Sequence, residues 1–235
     1  HRLRRLGVRD GAVVALCLDK SPELITAVLA VLRAGGAYLP LDAGYPAERL
    51  AYMLRNAGAT LVLADGAAHD SISGMVGGSG QVLDLHSLLR AAGNEPDAAL
   101  DVHVGLDDPA YVIYTSGSTG LPKAVQVTHR NLAAVYGGWR QEYRLDEVRV
   151  HLQMASFAFD VFAGDLVRAL CSGGTLVLVD RDLLFNTDRL YRTMVSERVD
   201  CGEFVPAVAR GLVTYCEREG RRLEFMRLLI VGSDI

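Results

Sequence analysis

The segment AYVIYTSGSTGLPKAVQVTHRN occupies residues 110–131 and changes character twice along its length. Residues 110–114 are small, β-branched or aromatic, which predicts a buried strand. Residues 115–120 then supply glycines and small hydroxyl side chains, so that consecutive backbone N–H groups can point at a single anion. Lys123 adds a mobile positive charge behind them. We therefore predict a strand that runs into a phosphate-binding loop.

A triphosphate suits this loop because backbone donors, hydroxyls and one ammonium can share its oxygens. The P-loop of nucleotide triphosphatases is excluded, since it needs Gly-Lys-Ser/Thr in direct succession. Here Leu121 and Pro122 separate Gly120 from Lys123. The alternative is a flexible surface loop rich in serine and glycine. The hydrophobic strand before the loop and the Pro-Lys pair after it favour phosphate binding.

Two stretches resemble the same family. Residues 115–124, TSGSTGLPKA, resemble the phosphate-binding signature of adenylate-forming enzymes, which include acyl-CoA synthetases, luciferases and the adenylation domains of nonribosomal peptide synthetases. The family usually ends this signature in Lys-Gly, where this chain has Ala124 in place of the glycine. Residues 33–46, RAGGAYLPLDAGYP, resemble the early adenylation-domain motif LKAGGAYVPID.

The resemblance implies roles for individual residues. Thr115 and Lys123 are expected to be catalytic, and Gly232 and Ser233 are expected to lie against adenine. The residues expected to hold the β- and γ-phosphates of ATP are Thr115, Ser116, Gly117, Ser118, Thr119, Gly120 and Lys123. The resemblance implies that Mg²⁺ accompanies the ATP, and no metal site built from protein side chains is expected.

Half of the 235 residues are hydrophobic, so the chain can bury a large core. Its net charge of -4 argues against a nucleic-acid partner, which would favour a basic face. No apolar run approaches the roughly 20 residues of a membrane-spanning helix. The sequence shows no signal peptide, so we expect a cytoplasmic protein without a membrane partner. The four cysteines lack CxxC spacing, which predicts reduced thiols.

Strands and helices are predicted to alternate along the chain. Strands are predicted near residues 13–18, 60–64, 110–114, 150–154, 175–179, 200–205 and 228–231. Helices are predicted near residues 21–36, 46–56, 128–143, 160–170, 187–198 and 206–219, and residues 65–80 are predicted to form a loop. This alternation predicts an α/β fold with layered parallel sheets and helical crossovers. By resemblance, it is the partial N-terminal subdomain of the adenylate-forming fold.

Residues 157–170, FAFDVFAGDLVRAL, resemble the family motif in which an aromatic-Asp pair opens a helix beside the substrate. In amino-acid-activating members this aspartate binds the α-ammonium, a role that falls on Asp160, directly after Phe159. A buried ammonium needs an opposite charge, and a charge-assisted hydrogen bond contributes about 1.5 to 3 kcal/mol. The alternative is that Asp160 only caps the helix. Fatty-acid and aryl-acid activators have no α-ammonium to bind there.

The resemblance also implies which residues contact the substrate. They are Phe159, Asp160, Val161, Gly164, Glu203, Ile230 and Gly232. Gly164 and Gly232 are expected to leave room for a long side chain, and Glu203 is expected to place an unpaired carboxylate at depth. Because an unpaired buried carboxylate costs roughly 3 to 5 kcal/mol, we expect a cationic substrate side chain, that of ornithine or another basic amino acid. The alternative is a surface or salt-bridged Glu203.

The resemblance extends over the chain but over only about half of an adenylation domain. Residues 1–235 are therefore expected to be a partial AMP-binding domain, truncated at both ends and without the C-terminal lid domain. Because turnover needs that lid domain, residues 1–235 alone are expected to be inactive. Family members usually have GGE where this chain has GSD at residues 232–234, so the end of the pocket departs from the pattern.

The implied reaction is attack by an amino-acid carboxylate on the α-phosphorus of ATP, which gives aminoacyl-AMP and pyrophosphate. The aminoacyl group then passes to the phosphopantetheine thiol of a peptidyl carrier protein, which works with condensation domains of the same assembly line. Two alternatives remain open from the sequence. One is an acyl- or aryl-CoA ligase, and the other is a nucleotide-binding module without catalysis.

Overall fold

A computed structural model describes residues 1–76, 80–116 and 121–232. The chain divides into two compact units, residues 1–132 and residues 133–235, which we name unit 1 and unit 2. The predicted phosphate-loop residues Gly117, Ser118, Thr119 and Gly120 lie outside the described residues, as does Ser233. Each unit is built around its own sheet.

Unit 1 contains a six-stranded sheet. Its strands are β1 (Val13–Cys17), β2 (Ala37–Pro40), β3 (Leu61–Ala64), β4 (Gln81–Asp84), β5 (Pro109–Thr115) and β6 (Lys123–Thr128). Its helices are α1 (Arg2–Arg5), α2 (Pro22–Arg33), α3 (Ala47–Asn56), α4 (Gly66–Ser73) and α5 (Leu85–Ala92), and α6 (His129–Glu142) spans the boundary to unit 2. The strand order is β4-β3-β1-β2-β5-β6.

The central strands of unit 1 are buried on both faces. All four residues of β2 and all four of β3 are buried, which is typical of a parallel sheet covered by helices. Helix α2 begins where Ser21 Oγ accepts a hydrogen bond from the backbone N–H of Leu24, and Pro22 occupies its first position. Gly35 follows the helix with φ +82°, a conformation that favours glycine.

Strand β6 departs from the expected parallel arrangement. It pairs with β5 in antiparallel orientation, because a short connection can join only antiparallel neighbours, whereas a parallel pair needs a long crossover. A second prediction was also wrong, since residues 66–73 of the expected loop form α4. Asp65 precedes this helix, and Ile72 is buried on its inner side. One buried apolar residue is too weak a periodic signal to indicate a helix from sequence.

Unit 2 contains a four-stranded parallel sheet. Its strands are β7 (Val150–Gln153), β8 (Thr175–Leu178), β9 (Cys201–Phe204) and β10 (Leu228–Val231), in the order β10-β9-β7-β8. Its helices are α7 (Asp160–Cys171), α8 (Arg181–Leu184), α9 (Thr187–Ser196) and α10 (Pro206–Glu219), with a short 3-10 turn at Leu145–Glu147. These elements confirm the predicted alternation of strands and helices.

The two faces of the unit 2 sheet differ in polarity. On one face, Leu190 and Met194 of α9 and Leu212 of α10 form an apolar cluster with Leu152 and Phe204 of the sheet. Helix α7 packs on β7 and β8. Since side chains alternate along a strand, His151 and Gln153 lie on the face opposite Leu152, and both are buried. This second face therefore carries buried polar side chains, whereas the first face is apolar.

Asp200 joins three strands at their amino ends. Its carboxylate accepts hydrogen bonds from the backbone N–H groups of Arg149 and Val150, and its own N–H donates to the carbonyl of Val150. Its carbonyl accepts hydrogen bonds from the backbone N–H groups of Arg227 and Leu228, at the start of β10.

No helix of the described residues is both long and apolar enough to cross a membrane.

We predict that Gly174→Ala destabilises unit 2. A Cβ at this position would lie 2.7 Å from the carbonyl oxygen of Arg149 and 3.2 Å from that of Ala169. Both oxygens accept backbone hydrogen bonds, from Thr175 and from Gly174 itself, so neither can move away freely. We expect the free energy of unfolding to fall by about 1–3 kcal/mol, measured by urea denaturation followed by circular dichroism.

The matched control is Gly138→Ala. Gly138 lies inside α6 with open space around the added methyl group, and alanine favours a helix over glycine by about 1 kcal/mol. This variant should be as stable as the parent or more stable. An unchanged denaturation midpoint for Gly174→Ala would contradict the steric argument.

Candidate functional site

The predicted phosphate loop connects two paired strands. Thr115 ends β5, Lys123 begins β6, and the two residues are direct partners across the antiparallel ladder. Opposed residues of such a ladder project to the same face of the sheet, so the hydroxyl and the ammonium lie on one side. Thr115, Ser116 and Lys123 are all exposed. The base of the loop therefore presents the Thr115 hydroxyl and the Lys123 ammonium together.

Two hydrogen-bonded groups hold the strands that flank this loop. The hydroxyl of Tyr114 donates to the carbonyl of Met53 (3.1 Å) and to Oδ1 of Asn56 (2.7 Å), which ties the end of β5 to α3. After β6, Thr128 Oγ1 accepts from the N–H of Asn131, while Asn131 Oδ1 accepts from the N–H of Thr128. Asn131 thus serves the start of α6.

The predicted α-ammonium ligand lies at the first turn of α7. Phe159 is the residue before the helix, and Asp160 is its first residue. Phe159 makes no side-chain capping hydrogen bond, and Asp160 is too far into the helix to act as its cap. The Asp160 side chain is exposed and forms no ion pair with another described residue. A carboxylate in this position is favoured by the helix dipole.

Packing around Phe162 fixes the beginning of α7. The Phe157 ring meets the Phe162 ring edge-on, with centroids 5.0 Å apart and planes at 75°. Both rings are buried, and aromatic pairs in this geometry contribute about 0.5–1.5 kcal/mol beyond burial. Phe159, between them in sequence, is 59% exposed. The chain therefore buries Phe157 and Phe162 and leaves the Phe159-Asp160 pair accessible.

Gly164 does not leave the space that was expected. A Cβ on Gly164 would lie 3.1 Å from Cη2 of Trp139 and 3.4 Å from Nη1 of Arg168. The expectation of room for a substrate side chain at this glycine is therefore wrong. The absence of a side chain at Gly164 instead admits the Trp139 ring and the Arg168 guanidinium. Val161, on the preceding turn, is partly buried.

Glu203 and Ile230 are neighbours on parallel strands. They are direct partners in the register of β9 and β10, and Gly232 follows with its N–H bonded to the carbonyl of Phe204 (3.1 Å). The only described atom within 4 Å of a Cβ placed on Gly232 is Oε1 of Glu203, at 3.8 Å. The structure thus brings Glu203, Ile230 and Gly232 together, as expected.

The expectation of an unpaired Glu203 carboxylate is wrong. Nη2 of Arg168 donates to Oε2 of Glu203 at 2.5 Å and to Oδ1 of Asp165 at 2.7 Å. We name Asp165, Arg168 and Glu203 the ion cluster. The side chains of Arg168 and Asp165 are 3% and 4% exposed, and that of Glu203 is 16% exposed. One arginine thus serves two carboxylates in this cluster.

Neighbouring groups act on the charges of the ion cluster. Burial raises the pKa of Asp165, and the nearby Arg168 guanidinium opposes that shift. The centre of the guanidinium lies 4.5 Å from the centroid of the Trp139 ring, within cation–π range. Burial also lowers the pKa of His151 to about 4, and the positive charge of Arg168 adds to this effect. His151 is therefore neutral at pH 7.

Asp165, Arg168 and Trp139 were not identified from the sequence. A signal was present, because Asp165 and Arg168 are three residues apart in a helix that is otherwise largely apolar. Such spacing places two side chains on one helix face, and buried charges are rarely left unpaired.

Within residues 1–76, 80–116 and 121–232, no group of three or more histidine, cysteine, aspartate or glutamate side chains could hold a metal ion.

The whole sequence resembles parts of much longer proteins. Residues 1–235 match the protein-family model described as AMP-binding enzyme. Bacitracin synthase 2 of Bacillus licheniformis is 39% identical over 234 residues, and the match covers 99% of this chain and 9% of that protein. Gramicidin S synthase 2 of Brevibacillus brevis is 37% identical over 233 residues, with coverages of 99% and 5%. The chain thus spans less than a tenth of either relative.

Solved structures show the same fold. The nonribosomal peptide synthetase FmoA3 in its AMPPNP-bound form superposes with a TM-score of 0.85 at 33% identity, over 99% of this chain and 24% of that one. The o-succinylbenzoate CoA synthetase of Bacillus subtilis, in complex with its acyl-adenylate intermediate, has a TM-score of 0.84 over 100% of this chain and 59% of that one. At 22% identity, this second likeness concerns the fold alone.

We predict that His151 makes the chain sensitive to acid. The unfolded state takes up a proton near the ordinary pKa of 6.5, whereas folded His151 does so only near 4. The free energy of unfolding should therefore fall as the pH drops from 6.5 to 4, by roughly 3 kcal/mol from this residue. In His151→Leu this part of the fall should be absent, as measured by urea denaturation midpoints at each pH.

The control for this prediction is His86→Leu, which replaces an exposed histidine on α5. That variant should keep the acid dependence of the parent chain. Equal acid dependence in the parent and in His151→Leu would rule out His151 as the source.

Proposed function

The chain belongs to the AMP-binding enzyme family of adenylate-forming ligases, and we propose that residues 1–235 are the N-terminal part of an amino-acid adenylation domain. Its proposed reaction joins an amino-acid carboxylate to the α-phosphorus of ATP and releases pyrophosphate. The aminoacyl adenylate then serves nonribosomal peptide synthesis. The nonribosomal peptide synthetases among the relatives support this proposal over other adenylate-forming reactions.

The position of Asp160 carries the proposal. An exposed carboxylate that lacks an internal cation, at the start of α7, is available to the α-ammonium of an amino acid. A fatty or aryl acid has no charge that could use it. The exposed ring of Phe159 beside it offers an apolar wall for the same substrate.

The base of the β5–β6 connection supports ATP as the second substrate. We propose that the hydroxyls of Thr115 and Ser116 and the ammonium of Lys123 bind the β- and γ-phosphates, together with Gly117, Ser118, Thr119 and Gly120. Gly232 and Ser233 are proposed to lie against adenine. Two solved neighbours are complexes with AMPPNP and with ATP and a magnesium ion, the second at 22% identity.

Mg²⁺ is proposed to enter with ATP. Since the described residues offer no cluster of acidic or histidine ligands, phosphate oxygens and water would supply most of its coordination, as is common for this ion. The hydroxyls of Thr115 and Ser116 are proposed to complete it. When bound, the ion neutralises phosphate charge.

The residues of this chain act mainly by positioning. Asp160 would hold the ammonium, so that the adjacent carboxylate of the substrate faces the α-phosphorus. Lys123 would stabilise the negative charge that develops on the phosphoryl oxygens. Correct alignment of two bound reactants can by itself supply about 7–11 kcal/mol of rate enhancement. No covalent intermediate with the protein is required.

The ion cluster supports a basic amino acid as the substrate, with ornithine first. Although Glu203 is paired, it shares Arg168 with Asp165 and uses only Oε2 for that contact, so we propose that Oε1 accepts a substrate cation. Gly164 lies one helical turn, or about 6 Å, after Asp160, and the guanidinium that holds Glu203 lies beside Gly164. A substrate that reaches both Asp160 and Glu203 must therefore carry its two ammonium groups several bonds apart. Val161, Ile230 and Gly232 are proposed to line the space between them.

The proposed partner is a peptidyl carrier protein, whose phosphopantetheine thiol accepts the aminoacyl group. Condensation domains of the same assembly line would then use it. The synthetases of bacitracin and gramicidin S are the relatives that support these partners.

We predict that ATP/pyrophosphate exchange depends on a basic amino acid. The natural protein that contains this sequence should exchange fastest with ornithine or lysine, more slowly with leucine or phenylalanine, and not with a fatty acid. Exchange led by a neutral amino acid would retain amino-acid adenylation and refute the basic substrate. Exchange with the fatty acid alone would refute both amino-acid adenylation and the basic substrate.

We also predict that Asp160→Asn weakens amino-acid binding. Loss of one charge-assisted hydrogen bond, about 1.5 to 3 kcal/mol, should raise the KM of the amino acid about 10- to 150-fold and leave the KM of ATP nearly unchanged. The control is Asp146→Asn, which removes an exposed carboxylate paired with Arg140 and should have little effect. An unchanged amino-acid KM in Asp160→Asn would show that this carboxylate is not the ammonium ligand.

A further inference from the structure

The Arg168 guanidinium connects the helix of the ammonium site to the strand of the side-chain site. It projects from α7, which begins at Asp160, and reaches Glu203 on β9. Within α7 it is held by Asp165, three residues earlier, at 2.7 Å. Of the described residues, only these two carboxylates form ion pairs with it. Arg168 thus joins two parts of the proposed substrate pocket that are 35 residues apart in sequence.

We propose that Arg168, oriented by Asp165, is a positioning residue for substrate selection. It fixes the Glu203 carboxylate through Oε2, so that Oε1 faces the side chain of the substrate. This inference rests on the proposed function, in which Glu203 is the counter-ion of a basic amino acid.

The two oxygens of Glu203 have different surroundings. Oε2 accepts from Arg168 at 2.5 Å, whereas Oε1 lies 3.8 Å from the place that a Cβ would take on Gly232. A carboxylate can accept hydrogen bonds at both oxygens, so pairing with Arg168 still leaves Oε1 for a substrate ammonium. A glutamate without this contact would lose more rotamer freedom when it binds the substrate.

Arg168 also supplies the positive charge beside the two carboxylates. Burial raises the pKa of Asp165, and the Arg168 guanidinium opposes that rise. The other titratable groups on this face are His151 on β7 and Cys201 on β9. Burial favours the neutral form of both, so neither replaces the charge of Arg168.

The surroundings of Arg168 restrict it to this position. The Trp139 ring covers one face of the guanidinium, and the missing side chain at Gly164 leaves room for both groups beside this turn of α7. Arg168 is the more rigid choice, because its planar fork can contact two carboxylates at once, whereas a lysine ammonium is a flexible point charge.

The test is the selectivity of the natural protein for ornithine over norvaline, which has the same carbon chain without the second amine. We measure kcat/KM for both in ATP/pyrophosphate exchange. Arg168→Gln should reduce the ornithine-to-norvaline ratio by at least about tenfold, through a higher KM for ornithine. The KM of ATP and the values for norvaline should change little, whereas a merely structural defect would impair both substrates.

A second variant covers the case in which Arg168→Gln does not fold. Asp165→Asn keeps the shape of the side chain but removes the carboxylate that orients Arg168, so it should also lower the ratio. Arg192→Gln removes an exposed arginine paired with Asp188 and should leave the ratio unchanged.

Glu203→Gln distinguishes the positioning role of Arg168 from the proposed basic substrate. If it lowers the ratio while Arg168→Gln and Asp165→Asn leave it unchanged, the positioning role is refuted and the proposed substrate stands. If the parent protein does not prefer ornithine and Glu203→Gln changes nothing, the proposed substrate fails, and the positioning role fails with it. If the role is correct, Glu203→Gln combined with Arg168→Gln should lower the ratio no further than Glu203→Gln alone.

Discussion

A buried guanidinium must be paired, and in unit 2 this requirement links three elements of the structure. Arg168 is 3% exposed on its side chain and could not keep its charge there without carboxylates. Asp165 on α7 and Glu203 on β9 supply them, and Trp139 on α6 covers the guanidinium. The missing side chain at Gly164 leaves room for both the Trp139 ring and the Arg168 guanidinium. The polar face of this sheet is therefore a single connected structure.

In unit 1, the decisive constraint is the short connection between β5 and β6. It forces an antiparallel pair at the edge of an otherwise parallel sheet and sets Thr115 across from Lys123. The Tyr114 hydroxyl ties the end of β5 to α3, so the base of the loop is held by a buried contact. The proposed phosphate site would need such support, since positioning of its groups is what it would contribute.

Local sequence patterns predicted most elements but not the contacts between them. Periodicity and caps located the strands and helices of unit 2, because those signals lie within a few residues of each other. Helix α4 was missed, since it buries only Ile72. The pairing of Glu203 with Arg168 could not be predicted, because it arises only when β9 is placed beside β7, under α7. The same holds for the contact of Trp139 with Gly164. The Asp165–Arg168 spacing could have indicated a buried ion pair, but it could not have indicated that Glu203 also contacts Arg168.

The ion cluster is hard to explain as a source of stability. Replacing a buried ion pair by apolar residues of similar volume is often neutral or stabilising by about 1–4 kcal/mol. In this cluster one arginine serves two carboxylates, and the less buried of them, Glu203, lies next to Gly232. If the proposed function is correct, a bound substrate cation completes the pairing of Glu203. That role in the complex is a reason to retain a cluster that stability alone does not favour.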